Sequence, residues 1–271
     1  MRPGQTVPRF HFPPAERNGS VVRSLLLDGQ AVPFPGTDVS VVRVAGSSQA
    51  IFEINRSLSA GPLHTLDLTY RLERPTAYPR FSTEVNDMAG RGNEELFPTL
   101  NTPHELARHR LALRVHGDRA FRCIGSGLVV REDEEDGTVQ QWLLDTEREV
   151  ASYTVMFVLL PASGTDLQER VIDGIPVRIL AIDGGPSIET AFTTLRDWLP
   201  KLQAAFGLYP VARGLSVFLV SQGGGMEYFG ATITTQVALT HEVLHGYFAC
   251  ATVMRTYRDT WLDEAIPQWY D

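Results

Sequence analysis

Two histidines four residues apart, His241 and His245, share one face of any helix that contains them, and Glu242 lies on the neighbouring flank. Glu264 follows nineteen residues after the second histidine, far enough on to return from a following helix. Two imidazoles and one carboxylate are the usual protein donors of a four-coordinate catalytic zinc, whose last position is left to water. The spacing therefore predicts one Zn2+ held by His241, His245 and Glu264, with Glu242 beside it as a general base. A motif with three fixed positions arises by accident in on the order of one such chain in a hundred, and the plain alternative is an amphipathic helix with two ordinary histidines. The surroundings favour the metal: Val237, Ala238 and Leu239 precede the motif, and Tyr247, Phe248, Val253 and Met254 follow it. Unpaired histidine and glutamate are costly in so apolar a helix, and ligation satisfies them.

The elements that must position these groups are legible in outline. Residues 8 to about 160 read as strands: Val21–Leu27 runs into Asp28-Gly29 and Ala31–Phe34 as a hairpin, and Leu66–Leu72 and Arg110–His116 alternate with period two. Leu128–Val130 and Gln141–Leu144 flank an acidic tip, Glu132–Asp136. An interruption falls at Pro161–Thr165, followed by a strand over Val177–Ile182. A helix starting from Ser187 as its N-cap then reaches Phe206 and stops at Gly207, with a kink expected at Pro200. Leu215–Val220 is a buried strand, and Gly223-Gly224-Gly225 leads into Met226-Glu227. The fold class is therefore α+β: an antiparallel β sandwich or saddle over 1–162, then an α/β part over 163–271 whose order of elements, with the histidine motif, resembles the N-terminal lobe of a thermolysin-like zinc peptidase domain. Pro267, three residues past Glu264, is expected to limit the last helix.

Further along the argument, the motifs combine into a resemblance. The run from His241 to Glu264, ending Trp261-Leu262-Asp263-Glu264-Ala265, resembles the gluzincin zinc aminopeptidases of the aminopeptidase N and leukotriene hydrolase type, whose usual ending is Trp-Leu-Asn-Glu-Gly. Gly224-Gly225-Met226-Glu227-Tyr228 is similar to their Gly-x-Met-Glu-Asn strand. Leu208-Tyr209-Pro210, Leu96-Phe97-Pro98 with Asn101-Thr102-Pro103, and Ser152–Phe157 match further family segments in the same order. The resemblance implies that Glu227 binds the free α-amino group of a peptide, within a substrate-binding strand that includes Gly224, Gly225 and Met226. Carboxylate-to-ammonium pairing is the physical basis of that role, and the glycines admit a peptide backbone to the strand edge. The implied activity is that of an aminopeptidase acting on peptides with a free N-terminus. The family continues into a long helical portion carrying a tyrosine, whereas this sequence stops seven residues after Glu264, as if truncated after the third zinc ligand. A second chain or protomer completing that lobe is one expectation; a catalytically silent scaffold that binds a partner through its incomplete cleft is the alternative, and hydrolysis of another bond on the same site is a third.

Composition removes other classes. The 271 residues are 43% hydrophobic and 21% charged, ordinary globular values, and the net charge of −8 argues against nucleic acid and anionic membranes as partners. Only Cys123 and Cys250 are present, far apart, which fits buried thiols in a reduced compartment. With neither a signal-peptide pattern nor a membrane span, a cytoplasmic protein is expected. His11, His64, His104, His109 and His116 lack ligand spacing and are expected to be structural or surface groups.

Overall fold

Strand alternation builds most of the molecule. The computed structural model describes residues 9–12, 21–34, 36, 38–43, 50–54, 64–71, 85–86, 106–132, 139–211, 213–252 and 259–270. They belong to two units, one of residues 1–80 with 91–101 and one of residues 81–90 with 102–271. The expected 162/163 boundary falls inside the second unit, whose β sheets and α/β part share cores.

In the first unit, β1 (Arg9–Phe12), β5 (Ala50–Ile54) and β4 (Val39–Arg43) form one antiparallel sheet. A second contains β3 (Gln30–Ala31), β2 (Val21–Leu27) and β6 (Leu66–Arg71). The β2–β3 turn is Asp28-Gly29, with φ of 51° and 75°, the left-handed pair that a tight two-residue hairpin requires. Leu25, Leu27, Val32, Val39, Phe52 and Ile54 are its buried core.

The second unit opens with two small antiparallel sheets. One joins β10 (Leu128–Arg131), β11 (Val139–Ala151) and β8 (Leu106–His116). The other joins β7 (Val85–Asn86), β12 (Phe157–Pro161) and β9 (Phe121–Gly125). Part of the expected Ser152–Phe157 strand is instead a 3-10 turn at Ser152–Thr154, where the Thr154 hydroxyl donates to the Ala151 carbonyl at 2.8 Å. The segments 96–98 and 101–103 lie outside the described residues.

A five-stranded sheet carries the rest, in the order β13 (Thr165–Ile172), β14 (Ile175–Ile182), β15 (Leu215–Leu219), β17 (Ala231–Thr234), β16 (Gly225–Tyr228). The β14–β15 and β15–β17 pairs are parallel and both edge pairs antiparallel. Both faces are covered, so β15 is buried at every position. Val177, Ile179, Val217 and Leu219 meet the helices, whereas Leu180, Phe218 and Ile233 meet Ile124, Met156 and Val158.

Helix α1 (Ile188–Phe206) begins where the Thr190 amide donates to the Ser187 hydroxyl at 3.2 Å and ends at Gly207, whose φ is 90°. Its stripe of Ile188, Phe192, Leu195, Leu199 and Leu202 is buried. Helix α2 (Leu239–Phe248) packs on β16 and β17, and α3 (Thr260–Tyr270) packs on α2. Helix α3 continues past Pro267, contrary to expectation: the Tyr270 ring sits 5.7 Å from Trp198 and 5.1 Å from Phe206, and that packing outweighs the lost backbone hydrogen bond. No helix among the described residues is long and apolar enough to cross a membrane. Cys123 and Cys250 are buried free thiols.

Leu199, fully buried between α1 and the sheet, offers a test of this core. Leu199→Ala is expected to lower the unfolding free energy by about 2–5 kcal/mol, read from denaturant titration.

Candidate metal centre

Helical geometry alone turns the His241 and His245 rings to one side of α2; the packing of α3 then brings Glu264 to them. His241 Nε2 lies 3.3 Å from His245 Nε2 and 3.3 Å from Glu264 Oε2, and the third side of the triangle, from His245 Nε2 to Glu264 Oε2, is 3.9 Å. Metal–nitrogen bonds of about 2.0–2.1 Å in a tetrahedron set neighbouring donors about 3.3–3.4 Å apart. Two sides of the triangle have that length, the third is about half an ångström longer, and its donors are the types zinc takes. The three residues expected from sequence are thus brought together, and they fit the ion.

Asp263, which the sequence reading did not single out, completes the surroundings. His245 is 1% exposed and its Nδ1 lies 2.9 Å from Asp263 Oδ1, so the ring donates there and turns an unprotonated Nε2 towards Glu264. The only signal in sequence was the Asp in Trp-Leu-Asp-Glu, where the resembling pattern has Asn. Burial by itself would lower the His245 pKa. The Asp263 hydrogen bond and the charges of Glu227, Asp263 and Glu242 outweigh that and raise it, so a proton competes with a metal for this ring.

Glu242 is 7% exposed, and its Oε2 has no hydrogen-bond partner in the protein. Burial, then the charge of Glu227, pushes its carboxyl up to about 8. Gly225 makes the space it occupies: a Cβ at 225 would stand 2.2–2.3 Å from Glu242 Cγ, Cδ and Oε1. Strand β16 therefore runs directly along the flank of the motif. Glu227 shares the Gly225 face, burial raises its pKa, and its carboxylate lies within 4.8 Å of His245 and Asp263 donor atoms. The side chain of Met226 takes the opposite face, against the apolar cluster around Phe218 and Ile233. A Cβ at Gly224 would meet open space. Among the described strands β16 pairs only with β17, and beyond its end the Phe229 amide donates to the Thr154 carbonyl at 2.7 Å.

His64 pairs with Asp28 at 2.8 Å, His109 lies 3.4 Å from the Ser152 hydroxyl, and His116 is exposed. None of the three is among the clustered donors. The side chain of His11 and all of His104 lie outside the described residues.

No protein-family model matches the chain, and no curated protein matches its sequence. Solved structures do. A variant of a two-domain M1 zinc metallopeptidase bound to L-tryptophan superimposes with a TM-score of 0.73 at 16% identity, over 99% of this chain and 63% of that one. A variant of the Deinococcus radiodurans M1 zinc metallopeptidase bound to the substrate Tyr-Ser-Ala gives 0.72 at 17% identity, over 99% and 62%. The Deinococcus radiodurans M1 zinc metallopeptidase itself gives 0.71 at 15%, again over 99% and 62%. The fold is that of the M1 zinc metallopeptidases. The chain spans just under two thirds of the length of these relatives.

The donor set predicts that zinc raises the melting temperature and a chelator reverses the rise. At a zinc concentration a hundred times the dissociation constant, the gain is about 2.7 kcal/mol. Because the bound ring must be unprotonated and the free ring holds its proton to higher pH than usual, apparent affinity should climb from pH 5.5 to 8, with proton release on binding. Both are read by titration against an indicator chelator.

Proposed function

We propose that this chain carries the catalytic centre of a zinc metallopeptidase, and specifically of an aminopeptidase. The observation that carries the reading is the donor triangle of His241, His245 and Glu264 with the orphaned, buried carboxylate of Glu242 beside it. A zinc ion in that triangle would lower the pKa of a coordinated water from about 15.7 towards 7 and polarise the scissile carbonyl. Glu242 is placed to act as the general base, which would take the proton of such a water and pass it to the leaving amine. Its raised pKa in the metal-free site means that it holds a proton readily, and a cation beside it draws the value back down towards working pH.

The aminopeptidase assignment rests on β16. A peptide laid along its outer edge by strand pairing would run beside Glu242, and Glu227, buried on the same face, supplies the negative charge for an α-ammonium. That the solved structures hold free amino acids or a short peptide supports this reading. A second reading is a scaffold that binds a partner chain, favoured by Trp261, Leu262 and Trp269 standing exposed on α3 next to the ligand Glu264.

Aminoacyl amides with free and with acetylated amines separate the two. Cleavage confined to the free amine supports the aminopeptidase, and a zinc-loaded chain without turnover supports the scaffold. Glu242→Gln is expected to lower kcat by at least about a hundredfold with zinc content unchanged, measured by metal analysis and initial rates. Full activity in that variant excludes the proposed base. Gly225→Ala, whose methyl group would occupy the space of the Glu242 carboxylate, is expected to reduce kcat while leaving zinc affinity within about twofold.

A further inference from the structure

Strand alternation gathers arginines on the side of the central sheet that faces away from the helices. On β14, Val177 and Ile179 turn to the helices and Leu180 to the opposite layer, so Arg178 takes the Leu180 face. Arg122 on β9 shares the face of Ile124, which packs in that same layer. Arg131 on β10 shares the face of Val129, and its guanidinium lies 5.6 Å from the centre of the Trp142 ring. All three arginines line one cavity of about 510 Å³, with Glu169 as its single carboxylate. In a chain of net charge −8 that is a local reversal of sign. Glu169 Oε1 lies 3.2 Å from Arg178 Nε, and Arg178 Nη1 donates to the Val129 carbonyl at 3.3 Å. Arg122 Nε is buried and has no hydrogen-bond partner among the described residues. A guanidinium cannot shed its charge, and a buried donor without an acceptor is costly.

We propose that this cavity binds a small organic dianion, a phosphate monoester or a dicarboxylate, whose oxygens accept from Arg122 and its neighbouring guanidinium groups. Three cations against one carboxylate leave two positive charges for the ligand to balance. The planar fork of donors on each arginine matches the paired oxygens of either head group. Phe121, Val129 and Trp142 give the cavity an apolar wall, and its volume lies within the roughly 300–1,000 Å³ typical of small-molecule sites. A bare inorganic ion would leave that wall uncovered, which favours a ligand with a small apolar body. The cavity shares no residue with the metal centre, so the proposal stands whether or not the chain is a peptidase.

The test titrates the chelator-treated parent chain with phenyl phosphate, with isophthalate and with benzamide, a neutral molecule with the same aromatic body. Affinity is read by calorimetry. The place of binding is read from the Arg122 Nε–H signal in a nitrogen–proton correlation spectrum, identified by its absence from Arg122→Gln. At least one of the two anions is expected to bind and move that signal, and benzamide to do neither. Binding of phenyl phosphate alone supports a phosphate monoester, and binding of isophthalate alone supports a dicarboxylate. Arg122→Gln is expected to weaken the bound anion about tenfold or more. If that variant does not fold, Arg122→Lys takes its place, since it keeps the charge but loses the fork and the Nε–H signal. The proposal is overturned if neither anion moves the signal at about 10 mM, well above a millimolar dissociation constant. It is equally overturned if benzamide binds as well as the anions, or if the Arg122 variant binds them as tightly as the parent.

Discussion

Four carboxylates, Glu227, Glu242, Asp263 and Glu264, crowd two imidazoles at the junction of α2, α3 and β16. Three of the four are largely withdrawn from water, where like charges repel strongly and each ionised group is costly to keep. The upward displacement of Glu227 and Glu242 comes first from that burial, and the neighbouring carboxylates add to it. A divalent cation in the His241, His245 and Glu264 triangle would offset the burial of these charges, and the rest of the architecture holds the groups together. The central sheet fixes β16 against α2; Tyr270, packed on Trp198 and Phe206, fixes α3 against α1.

The same packing gives the two faces of β16 different tasks. Gly225 and Glu227 turn to the metal helix, Met226 and Tyr228 to the apolar layer beneath the sheet. The period of two that puts Glu227 beside the ligands also anchors the strand through Met226. The fold is shared with solved M1 zinc metallopeptidases at 15–17% identity, so quite different sequences specify the same sheet.

Much of the architecture was legible because its signals are local. Asp28-Gly29 requires left-handed backbone and marks a hairpin; Ser187 and Gly207 bracket α1; alternation along 110–116 shows in the half-buried and exposed positions of β8. The misjudged places are those where long-range packing decides. Ser152–Thr154 turns because β11 must hand over to β12 in a different sheet, and α3 outlasts Pro267 because the Tyr270 ring packs on Trp198 and Phe206 of α1.

For the candidate site, the sequence by itself determined the ligand types and the pairing of His241 with His245, because residues four apart on a helix must share a face whatever surrounds them. It also placed Glu242 beside them. The tertiary structure alone decided that Glu264 closes the triangle, that its neighbour Asp263 turns to the other nitrogen of His245, and that Gly225 is the space Glu242 fills. Those are relations between separate elements, set by how α3 and β16 pack on α2, and the spacing of residues along a chain holds no measure of that angle.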